Sequence, residues 1–137
     1  MRLTLETDYA VRIVDCIARK GSVIGSKEIA ETAGVTLQLS LKILRKLVSH
    51  GVVKSYKGVH GGYTLAKPPA DIVLLDLIEL FEGELYINRC VGSSYTCTRR
   101  HEAPCVYHRL FDEISADMRQ KLKSTTLAAV LASDSNN

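Results

Sequence analysis

Ser26-Lys27-Glu28-Ile29-Ala30-Glu31-Thr32-Ala33-Gly34-Val35-Thr36-Leu37-Gln38-Leu39-Ser40-Leu41-Lys42-Ile43-Leu44-Arg45-Lys46-Leu47-Val48-Ser49-His50-Gly51 is two helical patterns divided by a glycine. Ser26 caps the first, whose inner face is Ile29, Ala30 and Ala33, and Gly34 ends it. Thr36 caps the second, which reaches His50 with Leu39, Ile43, Leu44 and Leu47 inside and Gly51 in the position after the C-cap. Beyond Gly51 the apolar period falls from 3.6 to 2. Residues 52–56 and 62–66 read as short strands around the tip Lys57-Gly58-Val59-His60-Gly61. Helix, glycine turn, helix and hairpin, in that order, make a winged helix-turn-helix.

Outward from this stretch the chain stays mostly helical. A first helix over residues 7–20 carries Ala10, Ile13, Val14 and Ile17 on one face and stops at Gly21. After Pro68-Pro69 a fourth helix starts at Asp71, runs through Leu74, Leu75, Ile78 and Phe81, and stops at Gly83. Residues 84–104 have no clear period. A long amphipathic helix follows over residues 104–123, with Tyr107, Phe111, Ile114, Met118 and Leu122 as its stripe, then a short helix over 125–131. The expected architecture is mainly α with a small β-hairpin. Residues 1–83 form the winged helix-turn-helix, and residues 84–137 carry a cysteine-containing loop and the long helix.

Composition narrows the class. At 137 residues, 46% hydrophobic and 24% charged, the chain has an ordinary globular balance. Its apolar runs, such as Ile72-Val73-Leu74-Leu75, fall far short of the roughly 18 residues a membrane span needs. The opening meets Glu6 and Asp8 before any apolar core, so it does not read as a signal peptide, and a cytoplasmic address is expected. In a reducing compartment Cys16, Cys90, Cys97 and Cys105 are then buried thiols, metal ligands or redox groups rather than structural disulfides. The net charge of +3 is uneven. Residues 1–67 hold 11 Lys/Arg against 5 Asp/Glu, whereas residues 68–137 hold 7 against 10. A basic first half suits a polyanion, since each cation placed at a phosphate releases condensed counterions.

The second helix of the pair is slim enough for a major groove. Opposite Leu39, Ile43 and Leu47 it offers Thr36, Gln38, Ser40, Lys42, Arg45 and Lys46. Gln38 suits an adenine edge; Lys42, Arg45 and Lys46 suit phosphates. Lys54, Lys57 and His60 decorate the wing, where Gly58, Gly61 and Gly62 let the backbone approach phosphates or a minor groove. A solvated helix face and a tight turn would use the same residue types. The coincidence of helix, turn, helix, wing and basic half favours DNA.

Cys90, Cys97 and Cys105 are separated by 6 and 7 residues, and His108 stands three positions after the last of them. Thiolates are soft ligands for iron–sulfur clusters or Zn²⁺, and Arg99, Arg100 and His101 lie beside them. The spacing lacks the Cys-x-x-Cys of a zinc ribbon, so a structural zinc site, as in a zinc-stapled adaptor, is the weaker metal reading. Unligated thiols remain the plain alternative, and Cys16 reads as a small core residue. A metal-dependent enzyme would have only Glu102 as a nearby acid or base, with no catalytic spacing.

The sequence resembles the winged-helix regulators of the IscR and NsrR family, which also includes RirA and CymR. The likeness rests on Met1-Arg2-Leu3-Thr4 with Thr7-Asp8-Tyr9-Ala10, on Val53-Lys54-Ser55 leading to Lys57-Gly58 and Gly61-Gly62-Tyr63, on the cysteines before the long helix, and on Thr125-Thr126-Leu127. It implies a homodimeric transcription regulator, repressor or activator, on a two-fold double-stranded operator, whose long helix packs against its mate. It also implies a [2Fe–2S] or [4Fe–4S] cluster on Cys90, Cys97 and Cys105 that senses nitric oxide, redox state or iron–sulfur status. The fourth ligand would be His108, as in IscR-like members, or Asp8 of the partner subunit, as in NsrR-like members; Thr7-Asp8-Tyr9 favours Asp8. A CymR-like, cluster-free repressor answering to a metabolite or a partner protein is the alternative. The chain departs from the family in its longer cysteine spacing, in Leu39-Ser40-Leu41 for a frequent Tyr-Leu-Glu, in Val59-His60 for a frequent Pro-Gly, and in Lys57 for a frequent Arg.

Overall fold

The computed structural model describes residues 2–99 and 104–135. Helix α1 spans Leu5–Lys20, starting before the expected residue 7 because the Thr4 hydroxyl accepts the Thr7 N–H at 3.3 Å. It ends where Gly21 turns left-handed at φ 66°. Helices α2 (Ser26–Ala33) and α3 (Leu37–Ser49) follow; α3 is capped by Thr36 as the sequence indicates, whereas Ser26 is already the first residue of α2 and Gly25 holds the cap position without a side-chain bond. Ile13, Val14 and Ile17 of α1 close on Ile29 of α2 and on Ile43, Leu44 and Leu47 of α3, all buried. Each such side chain contributes roughly 1.5–3 kcal/mol by leaving water.

Strands β1 (Val53–Tyr56) and β2 (Gly62–Leu65) pair antiparallel, Val53 opposite Leu65 and Tyr56 opposite Gly62. The wing is fastened to the body by reciprocal bonds between Ile24 and Tyr63, 3.0 and 2.9 Å. That fastening explains Gly62. Its φ is 154°, and a Cβ there would stand 2.4 Å from the Ile24 carbonyl oxygen. At Gly61 a Cβ would stand 2.3 Å from the Tyr56 carbonyl oxygen, so the tip closes on itself only with glycine.

The fourth helix starts later than the sequence suggests. Pro69–Asp71 is a 3₁₀ turn, and α4 spans Leu74–Glu82. Between them the backbone is extended because a distant segment pairs with it. Leu74 N–H donates to Thr125 O at 2.9 Å, and Leu127 N–H donates to Ile72 O at 2.8 Å. A second 3₁₀ turn, Arg89–Val91, precedes α5 (Val106–Lys123), and α6 spans Leu127–Ser135.

Helix α5 meets the body chiefly through its second half. Met118 and Leu122 pack on a small cluster of Leu75, Ile78 and Leu85, and Arg119 pairs with Glu79 of α4. The expected stripe is therefore divided: Phe111, Met118 and Leu122 are half-buried, while Tyr107 and Ile114 are exposed beside Val106 and Leu110. Leu127 of α6 returns to the first cluster and is buried with α1 and α3. The last helix thus packs with residues of the 1–83 unit, so the chain's two clusters do not divide at residue 83. Among the described residues no helix is long and apolar enough to cross a membrane.

Candidate DNA-binding face and cysteine cavity

Ile43, Leu44 and Leu47 set which side of α3 faces inward, and a turn of 100° per residue assigns the rest. Gln38, Lys42, Arg45 and Ser49 fall on one exposed stripe at steps of three and four. With the exposed cap Thr36, Gln38, Lys42 and Arg45 border a shallow groove floored by Leu39 and Leu41. Lys42 lies 4.0 Å from Glu6 but stays largely in solvent, where such a pair is worth little.

Two sequence assignments change. Ser40 is fully buried, because it precedes Ile43 and Leu44 by three and four residues and shares their face; its hydroxyl has no hydrogen-bond partner among the described residues. The groove-facing side is thus without it. Lys46 is half-buried and turns toward α4, its ammonium 4.9 Å from the Phe81 ring centroid.

On the wing, Lys54, Lys57 and His60 are exposed, and Val59 at the tip is 97% exposed. The Lys54 ammonium sits 5.2 Å from the Tyr56 ring, and the Thr64 hydroxyl bonds the Tyr56 oxygen at 3.5 Å. That bond, helped by Lys54, lowers the Tyr56 phenol below its ordinary value. Ser49 and Tyr56 are exposed next to these basic residues, and the sequence signals for both are local. Continuing the Gln38–Lys42–Arg45 stripe one turn finds Ser49, and counting two residues on from Lys54 finds Tyr56.

The second feature is a cavity of about 780 Å³ between the cysteine loop and the start of α5. Cys90, Cys97, Cys105 and His108 all line it. Cys90 is half-buried, 3.2 Å from the Asn88 amide nitrogen, and Cys97 is exposed. Cys105 precedes α5, its Sγ near the first free backbone N–H groups of the helix, those of His108 and then Tyr107, with Arg99 4.0 Å away. These donors and that cation hold its thiol below the usual range. Among the described residues no three His, Cys, Asp or Glu side chains stand close enough together to hold an ion as they are. Arg100, His101 and Glu102 lie outside the described residues.

Asp8 is elsewhere, on the first turn of α1, paired with Arg12 at 2.8 Å. Next to it a polar staple fixes the start of α1. Glu82, the last residue of α4, accepts Thr4 N–H at 2.7 Å, Thr4 O–H at 2.9 Å and the buried Thr7 O–H at 2.5 Å. The Thr7 bond, with those from Thr4, holds the Glu82 carboxyl below its ordinary value. Cys16 is buried as expected, and burial pushes its thiol up.

A winged helix with a basic recognition helix, joined to a thiol-lined cavity and a long outlying helix, defines a helix-turn-helix transcription regulator. Residues 3–133 match the Rrf2 family, described as iron-dependent transcriptional regulators. The chain belongs to that family. It is 31% identical over 133 residues to the protein rrf2 of Nitratidesulfovibrio vulgaris, covering 96% of this chain and 87% of that one. It is also 31% identical over 138 residues to a Neisseria meningitidis protein named as an HTH-type transcriptional regulator, covering 99% and 91%. Among solved structures, IscR of T. potens superposes with a TM-score of 0.78 at 25% identity, over 98% of this chain and 88% of that one. CymR of B. subtilis, titled the global cysteine regulator, superposes with a TM-score of 0.79 at 25% identity, over 96% and 97%. The family is one of transcription regulators, which sets the enzyme reading aside.

Proposed function

We propose that this Rrf2-family regulator is a homodimer that binds a two-fold operator and reports nitric oxide, redox state or iron–sulfur status through a cluster on Cys90, Cys97 and Cys105. The observation that supports it is the placement of all three thiols, with His108, around one cavity. The donor set suits the group in kind: soft thiolates, one of them favoured by backbone N–H donors and Arg99. A bound cluster would supply redox and nitric-oxide chemistry; the protein's part is to hold its ligands and couple them to DNA binding. The fourth ligand is His108, already in the cavity, or Asp8 of the partner subunit.

On DNA, Gln38 faces base edges, Lys42 and Arg45 face phosphates, and Lys54, Lys57 and His60 follow the backbone beside the wing. Two such faces in a dimer read half-sites about 34–36 Å apart, one helical turn. Val106, Leu110 and Ile114, exposed on one side of α5, supply the apolar face for the second copy.

The test is iron and acid-labile sulfide in protein purified without oxygen, alongside operator affinity for wild type and Cys90→Ala. Brown protein whose affinity changes in the variant, with the dimer intact, supports the reading. Colourless protein after attempted reconstitution, or an unchanged response in the variant, overturns its sensing half. A second reading, a cluster-free repressor controlled by a metabolite or a partner protein, draws on the likeness to CymR and on the thiols, among the described residues, not converging on one point.

A further inference from the structure

The cavity is larger than its thiols need and differently lined. A tetrahedral ion with thiolates at about 2.3 Å fills only a small part of about 780 Å³. That volume lies within the roughly 300–1,000 Å³ of small-molecule sites. The remaining wall is aromatic and cationic. Tyr95, Tyr107 and Phe111 supply ring surface, and Arg89, Arg99 and Arg109 supply guanidinium groups, against the single carboxylate of Asp112 among the described lining residues.

The cations are also positioned. The Arg89 guanidinium lies 5.1 Å from the Tyr95 ring centroid, and that of Arg99 lies 5.5 Å from the Tyr107 centroid. A guanidinium laid on a ring gives up side-chain freedom beforehand, so less is lost when it binds an anion. None of the three arginines forms an ion pair among the described residues. A flat apolar body would stack between rings while its charged end met the planar donors, the pattern in which apolar walls supply area and a few polar groups fix orientation.

We propose that the metal-free chain binds a small aromatic carboxylate in this cavity, its ring against Tyr95, Tyr107 and Phe111 and its carboxylate on Arg99 and Arg109. This goes beyond the cluster reading and does not depend on it.

The experiment titrates metal-free, reduced full-length protein with indole-3-carboxylate by calorimetry, with neutral indole and inorganic phosphate as comparison probes. Saturable one-per-chain binding is expected, with either comparison probe weaker by about tenfold or more. Arg109→Ala and, separately, Arg99→Ala each weaken the carboxylate by about tenfold, with helix content and dimer size unchanged. Equal binding of indole would reduce the site to an apolar patch, and equal binding of phosphate would reduce it to bare charge; either overturns the proposal, as does no saturable binding. Iron analysis on a separate sample distinguishes the two readings, since protein that never takes up iron but binds the carboxylate refutes only the cluster.

Discussion

Replacing Ser40 by alanine removes a hydroxyl that is wholly buried on α3 and has no hydrogen-bond partner among the described residues. A buried, unsatisfied polar group costs about 1–3 kcal/mol. Alanine is also the better helix former, by about 0.5 kcal/mol in a helix interior. Against these stands the small void left by one oxygen atom, for which cavity costs run about 24 cal/mol per Å³. The balance is a gain of about 1–2 kcal/mol, or several degrees in Tm for a chain of this size. Urea unfolding followed by far-ultraviolet circular dichroism measures it as a higher midpoint at unchanged slope. Operator affinity should stay within about twofold, because the side chain faces Ile43 and Leu44 rather than the groove. A destabilised variant, or one that stays folded but binds DNA an order of magnitude more weakly, would refute the assignment of Ser40 to the interior.

The other expected outcomes concern the wing, the basic face and the staple. Arg45→Ala should weaken operator binding and reduce the slope of log affinity against log salt by about 1, whereas Lys46→Ala, whose ammonium is engaged by Phe81, should leave that slope nearly unchanged. Gly62→Ala should loosen the wing at Ile24, lowering DNA affinity while helix content stays the same, and an unaltered affinity would show that the wing tolerates a Cβ 2.4 Å from that carbonyl. Glu82 is depressed in the folded state, so its contribution to stability is present above the unfolded carboxyl pKa and is lost as pH falls through the lower folded value. Glu82→Gln should therefore flatten the acid limb of the stability curve, and an unchanged limb in acid-denaturation profiles would dismiss the staple as its cause.

Local signals were the readable ones. Thr36, Gly34, Gly51 and the wing glycines act within a few residues of themselves, so helix ends and hairpin follow directly from the chain. The start of α4 was misplaced because residues 72–74 are held extended by 125–127, a pairing no local pattern encodes. Ser40 was misassigned because Leu39 was counted as central; Leu39 is half-buried at the flank, and the buried row runs through 40, 43, 44 and 47. The cysteines announced that they gather in one loop, and the structure adds which side chains share their cavity. Spacing alone also could not tell which part of the α5 stripe meets the body, since exposed and packed apolar residues alternate along it.

The bonds joining residues 72–74 to 125–127 have a mechanical consequence. They clamp the chain immediately after α5, a rod of 18 residues and so about 27 Å long. Its other end begins at Cys105. A lateral movement of about 3 Å at that end is therefore a tilt of only about 6° around a fixed pivot. Such a tilt would shift Met118, near the pivot, by less than about 1 Å, so a displacement at the thiol end is referred to a fulcrum that belongs to the same core as α1 and α3.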